Sequence, residues 1–308
     1  MKKILISMVC IMMMGIQSVN AQIGIAVLHH QGISSVFEEY SVAEAITAAV
    51  DGDTLYLSEG HFKGGVTINK AIHVIGSGQG TLIDGDITIS FENNPTLSGY
   101  LLTGLYVKGD IVVNKAVKGL GISQCRFNNF GKSSGSSASS FKVTELYIER
   151  CYCSGTVYLN PVEGGSFYGC QIANIDSHYT TGQSSFNHCN ISYVGNFQDS
   201  SCFFLNCIYT YTDSRTSELS NNVWQNCLLC KTPPSTCEHC WSNTSAGNLT
   251  IAELESKGYI ATDGTVVGYF GGETPYTLEL ATPKVVEHNI EVDKANKKLN
   301  VTLTVGNE

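Results

Sequence analysis

The chain has 308 residues, 43% of them apolar, with 31 glycines and only 6 prolines, which is length and apolar content enough for a continuous core and not the composition of a disordered chain. Its 27 acidic residues outweigh 18 basic ones, and the formal net charge of −9 excludes the basic footprint of a nucleic-acid binder. An acidic polysaccharide would be repelled as well, unless calcium or a local basic patch intervened.

The first predicted element is a leader. Lys2, Lys3, the apolar stretch Ile4–Ile16 and the small residues around Ala21 read as a secretory signal peptide over residues 1–21. Cys10 follows too few apolar residues, and no small residue precedes it, so a lipid anchor is not expected. No later segment is long and apolar enough to span a membrane, which predicts an exported protein in the periplasm, outside the cell or on its surface. Ser41 and Glu44 form a capping box, and Val42, Ala45, Ile46 and Ala49 give an apolar stripe. The segment 41–50 therefore predicts a helix laid across the open end of a strand stack. Short strands follow in Leu55–Leu57, Val66–Ile68, Ile72–Ile75, Leu82–Ile83, Ile87–Ile89, Leu105–Val107 and Ile111–Val113.

Beyond them, Cys125, Cys151, Cys170, Cys189, Cys207 and Cys227 recur at intervals of 26, 19, 19, 18 and 20 residues. Three residues before each stands an apolar residue (Ile122, Ile148, Phe167, Phe186, Phe204, Trp224), and two after it stands Phe127, Cys153, Ile172, Ile191, Tyr209 or Leu229. A spacing of two keeps a face of a strand, whereas a spacing of three between inward residues requires a bend. The bend falls at Gln124, Arg150, Gly169, His188, Asn206 and Asn226, so each repeat reads as strand, corner, strand. The long first interval contains the flexible run Gly131–Ser140. The period is that of a solenoid of short parallel strands. Stacked cysteines would lie about 4.8 Å apart with parallel Cβ vectors, against the converging geometry of a disulfide, so the column is predicted to be a ladder of buried, unbridged thiols.

At this point the chain resembles the right-handed parallel β-helices of the pectin-lyase-like superfamily. The segment Ser41–Leu57, with its Gly52-Asp53-Thr54 turn, and then Glu59-Gly60-His61-Phe62 look like that family's opening. The resemblance implies an all-β fold: a right-handed parallel β-helix over 22–270 with its capping helix, followed by a C-terminal β extension over 271–308. Polysaccharide lyases of this kind use carboxylates that hold calcium and an Arg or Lys base, while glycosidases use two or three acids. The outward positions here carry only one acid, Glu149, so that constellation is not visible. Asp84-Gly85-Asp86 reads as turn chemistry.

Three sets of residues remain as site candidates. Asp176, His178, Asp213 and Arg215 are predicted in loops just after a rung and would serve a lyase or glycosidase, with calcium needed only in the lyase case. Tyr147, Tyr152, Tyr168, Gln171, Asn187 and Asn190 place aromatic faces beside amides, a pattern that suits sugars and equally suits stacking across the sheet exterior. Cys230, Cys237 and Cys240 gather outside the ladder with Glu238 and His239, and the Cys-x-x-Cys spacing fits zinc, a local disulfide or plain thiols. The end of the chain, Val285–Val292 and Leu299–Val305, alternates apolar and polar residues as a β-hairpin that caps the solenoid or binds a partner. The Gly-rich stretch Asp263–Tyr276 before it is similar to the closing stretch of secreted β-helix proteins from gut Bacteroidota. The expectation is a monomeric, exported, non-catalytic β-helix without a cofactor that binds glycan or a surface protein. A loop-borne polysaccharide lyase or glycosidase, and an adhesin using the hairpin, are the alternatives.

Overall fold

A computed structural model describes residues 24–37, 42–131, 142–177, 183–197, 202–211, 222–277, 284–293 and 298–306. The leader, Cys10, Ser41, His178, Asp213 and Arg215 lie outside the described residues. The chain forms a parallel β-helix built on two long sheets. Sheet A has 12 strands: the antiparallel pair Ile33–Phe37 and Ala26–His30, then a parallel series from Thr54–Leu57 through Gly121–Ser123 and Phe203–Leu205 to Cys237–Glu238. Sheet B has 10 strands, from Gly60–Lys63 through Arg126–Phe127 and Asn190–Phe197 to Trp241–Ser242. Two three-stranded sheets close the third side of the early rungs, and Lys284–Asp293 pairs with Lys298–Gly306 as the expected antiparallel hairpin.

The corner between the sheets is where the repeat is made. Gln124, Arg150, His188, Asn206 and Asn226 all have φ between 50° and 54°, and Gly169 has 59°. A single left-handed residue turns the strand and leaves the next residue pointing inward, which is why the inward spacing is three here. Gly104 (φ 64°) and Leu105 occupy the same two places one rung earlier, so the corner precedes the first cysteine.

The inward columns are continuous. Ile122, Ile148, Phe167, Phe186, Phe204 and Trp224 are in register, and the aromatic members stack with centroids 4.5 Å (Phe167–Phe186), 5.0 Å (Phe186–Phe204) and 4.1 Å (Phe204–Trp224) apart. Beside them the six ladder cysteines are buried and unbridged. Each thiol donates to the carbonyl two residues back, for example Cys125 to Ser123 at 3.2 Å and Cys227 to Gln225 at 3.2 Å, and from Cys151 onward also faces a carbonyl of the preceding rung. The carbonyl two residues back already accepts the corner N–H of the preceding rung, as Glu149 O does from Gln124 N at 3.1 Å, and a small apolar side chain with one weak donor adds a second contact to it. Burial pushes the thiols of Cys151, Cys170 and Cys207 well up, so they stay protonated.

Outside the stack, Asp86, Asp110 and Asn129 form a second ladder. Each side-chain oxygen accepts a backbone N–H of the next rung, from Asp110 at 2.8 Å, Asn129 at 3.1 Å and Thr156 at 2.7 Å, so the Asp84–Asp86 turn is structural. At the start of the chain, helix α1 (Val42–Ala48), a shorter element than the predicted 41–50, buries Val42, Ala45 and Ile46, with Ala49 buried just beyond it.

Three expectations are corrected. The last parallel strand is Trp241–Ser242, so the solenoid ends well before residue 270. Asp176 lies within the strand Gln171–Ser177, opposite Tyr158, and not in a loop. Cys237, Glu238, His239 and Cys240 are not a cluster outside the ladder but its terminal rung: Cys237 is in register with Trp224, His239 takes the left-handed corner (φ 53°), and Cys240 takes the ladder position. Cys237 and Cys240 are joined by a disulfide, which removes them as metal ligands, and Cys230 is a separate buried thiol.

Candidate functional site

After the last rung the chain turns back along the outside of the corner. The 3-10 turn Ala246–Asn248 packs against Ile208–Tyr209, and helix α2 (Ile251–Ser256) starts at a Thr250/Glu253 capping box. The strap Thr262–Thr277 then runs over the left-handed corner residues toward earlier rungs. Asn206 accepts from Thr262 N at 3.1 Å, His188 Nε2 lies 2.9 Å from Asp263, Asn190 accepts from Tyr269 N at 3.1 Å, and the Tyr168 hydroxyl accepts from Glu273 N at 3.0 Å. Gly268 N donates to Asn206 O at 2.7 Å. Gly268 (φ 81°) lies against Ile208, and Gly272 (φ 84°) against Tyr168, where a Cβ would collide.

The strap divides the predicted binding face. Tyr168 and Asn190 hold it, and Asn187 accepts from Asn206 Nδ2 at 3.2 Å, so these three are used inside the fold. The outward residues Ile208 and Leu228 are buried, at 2% and 0% exposure. Gln171 stays half-buried between Tyr152 and Asn190 in the sheet B column. Tyr147 and Tyr152 lie on the two sides of the corner near the strap's far end.

There the surface changes character. On sheet B the guanidinium of Arg126 lies over the Tyr106 ring at 4.6 Å and the Tyr152 ring at 5.2 Å. On sheet A, Glu149 accepts from Arg150 Nη2 at 2.6 Å, Tyr147 OH at 2.8 Å and Ser123 Oγ at 3.2 Å, while Tyr100 stands 5.9 Å from Tyr147, ring to ring. Burial by itself would raise the Glu149 carboxyl, but the Arg150 guanidinium and the Tyr147 hydroxyl outweigh it and hold the carboxyl below its usual range. Burial and the adjacent Glu149 charge push Tyr100 up to about 12 and Tyr147 higher still. Glu149 is therefore an ionised acceptor with both oxygens engaged, and both tyrosines keep their protons. The Nε of Arg150 is buried and has no hydrogen-bond partner among the described residues.

The arrangement presents aromatic faces and the Arg126 guanidinium along one ridge, with the Arg150 guanidinium and the Tyr147 hydroxyl engaged by Glu149, and no second carboxylate takes part in these contacts. It can bind through stacking and charge-assisted hydrogen bonds. Sequence reasoning offered Tyr147 and Tyr152 as site residues but not Tyr100, Tyr106, Arg126 or Arg150. Their signal was present: Arg126 follows one ladder cysteine and Arg150 precedes the next, which places both on the same corner. A search for paired acids passed over them. Among the described residues no group of three or more His, Cys, Asp or Glu side chains is placed to hold a metal ion. Comparisons with protein-family models, curated proteins and solved structures find no match to this chain.

Proposed function

We propose that the protein is an exported β-helix module that binds anionic glycans on the ridge formed by Tyr100, Tyr106, Arg126, Tyr147, Arg150 and Tyr152. The observation that carries this reading is the Arg126 guanidinium between two tyrosine rings on a chain of net charge −9. Stacking fixes the guanidinium plane, and its outward N–H groups suit a carboxylate or sulfate, while the ring faces suit the apolar faces of sugars. This supplies the local basic patch without which an acidic protein would repel such a ligand. Binding is favoured over acid-catalysed hydrolysis because Glu149, held ionised by Arg150 and Tyr147, is no proton donor. The resemblance of Ser41–Phe62 to the pectin-lyase-like superfamily, the likeness of the closing stretch to secreted β-helix proteins of gut Bacteroidota and the leader-like N-terminus support export and a carbohydrate ligand.

Calorimetric titration with uronate, sulfated and neutral oligosaccharides tests the proposal. Affinity should be confined to the anionic set and fall with added salt, and Arg126→Ala should weaken it about tenfold or more, the loss expected for a charge-assisted contact. Arg126→Lys should restore it only in part. Equal binding by wild type and Arg126→Ala overturns the assignment of the ridge, and release of new reducing ends or unsaturated products would favour the enzyme alternative.

A further inference from the structure

Two kinds of cysteine coexist in the described chain: nine buried thiols and one disulfide, and the disulfide is on the terminal rung, where Cys237 and Cys240 are both only half-buried. We infer that Cys237–Cys240 is a redox-active disulfide that exchanges with external dithiols while the solenoid stays folded.

Three observations carry this. First, the bond bridges residues three apart in sequence, so it closes a very short loop and contributes little of the chain-entropy stabilisation that longer loops give. Second, the reduced rung already has its places prepared. Cys237 is in the register position of Trp224 and Phe204, and Cys240 Sγ lies 3.5 Å from Glu238 O, the same carbonyl two residues back that every ladder thiol uses. Reduction turns the last rung into an ordinary one. Third, the corner residue between the two cysteines is exposed His239, whose imidazole adjoins Cys240 in sequence and, when protonated, stabilises a departing thiolate. The other thiols are shielded by burial, so the exchange is confined to the one pair that solvent reaches.

The chemistry balances as a two-electron transfer. A thiolate of the dithiol attacks one sulfur of the pair, the Cys237–Cys240 bond breaks, and the other cysteine leaves as thiolate. The second thiol of the reagent then displaces the mixed disulfide. The protein gains two electrons and two protons as two cysteine thiols, and the dithiol becomes a cyclic disulfide; the reverse reaction oxidises a dithiol.

Folded protein is equilibrated with dithiothreitol at graded ratios of reduced to oxidised reagent, quenched by alkylation and mapped by mass spectrometry, with circular dichroism in parallel. Labels should appear at Cys237 and Cys240 together, with none at Cys125, Cys151, Cys170, Cys189, Cys207 or Cys227, and the dichroism should not change. His239→Ala should slow the reduction several-fold. A bond that resists millimolar dithiothreitol in the folded state, or that opens only as the dichroism collapses, overturns the inference. So does failure of the Cys237→Ser/Cys240→Ser double variant to fold, because the bond would then be structural.

Discussion

At the residue scale the left-handed corner sets the terms. A side chain there costs about 1 kcal/mol or more against glycine, so Asn226→Gly should leave stability unchanged or raise it by up to about 1 kcal/mol, and Asn226→Val should lower it by about 1–2 kcal/mol in denaturant melts. Equal effects would show that Asn226 does more than turn the chain. His188 occupies an equivalent corner but also meets Asp263 and Gly268, so His188→Gly should free the strap even as it relaxes the backbone. Glu149 makes a pH prediction. Its carboxyl is held below its ordinary value, so its contribution is complete above the unfolded-state value and is lost as pH falls through the lower folded value. Melting temperature should therefore drop in acid below the normal Glu range, and Glu149→Gln should remove part of that drop while lowering stability at neutral pH.

At the element scale the rungs and the strap behave differently. The rungs were legible in the sequence because each repeats the same inward set, from Ile122-x-x-Cys125-x-Phe127 to Trp224-x-x-Cys227-x-Leu229. The terminal rung was hidden because its loop is short: Cys240 follows Cys227 by only thirteen residues, and Cys237 stands where the other rungs carry a large apolar residue. The strap was illegible for a different reason. Its hold on the solenoid comes from scattered hydrogen bonds to residues 56 to 105 positions away and from the buried Val266 and Val267, which leave no period; the Thr250-x-x-Glu253 box before Leu254 was a signal for helix α2 that the sequence reading did not use. Gly272→Ala should loosen the strap by forcing Tyr168 aside, with new protease sites between residues 262 and 277 and an almost unchanged melt of the solenoid. A melt lowered by several degrees would mean that the strap is part of the cooperative unit.

For the whole molecule, stability passes from rung to rung, because each strand touches only its neighbours in the stack. Phe186→Ala removes the middle ring of a stack whose centroids are 4.5 and 5.0 Å from its own, and should cost about 3–5 kcal/mol. The loss should be local, with faster amide exchange in the rungs of Phe167 and Phe204 than in the rungs of Leu55 and Val74. A uniform rise in exchange along the solenoid would argue for one all-or-none unit instead.

The thiol column has a kinetic consequence. Side chains that burial keeps safe in the finished molecule are ordinary reactive thiols in the unfolded chain, and the proposed export would deliver that chain to surroundings that oxidise them. On that proposal the solenoid would have to close over Cys125 to Cys227 faster than wrong bridges can form. Stacking by neighbours suits that race, since each new rung covers the sulfur of the one before it.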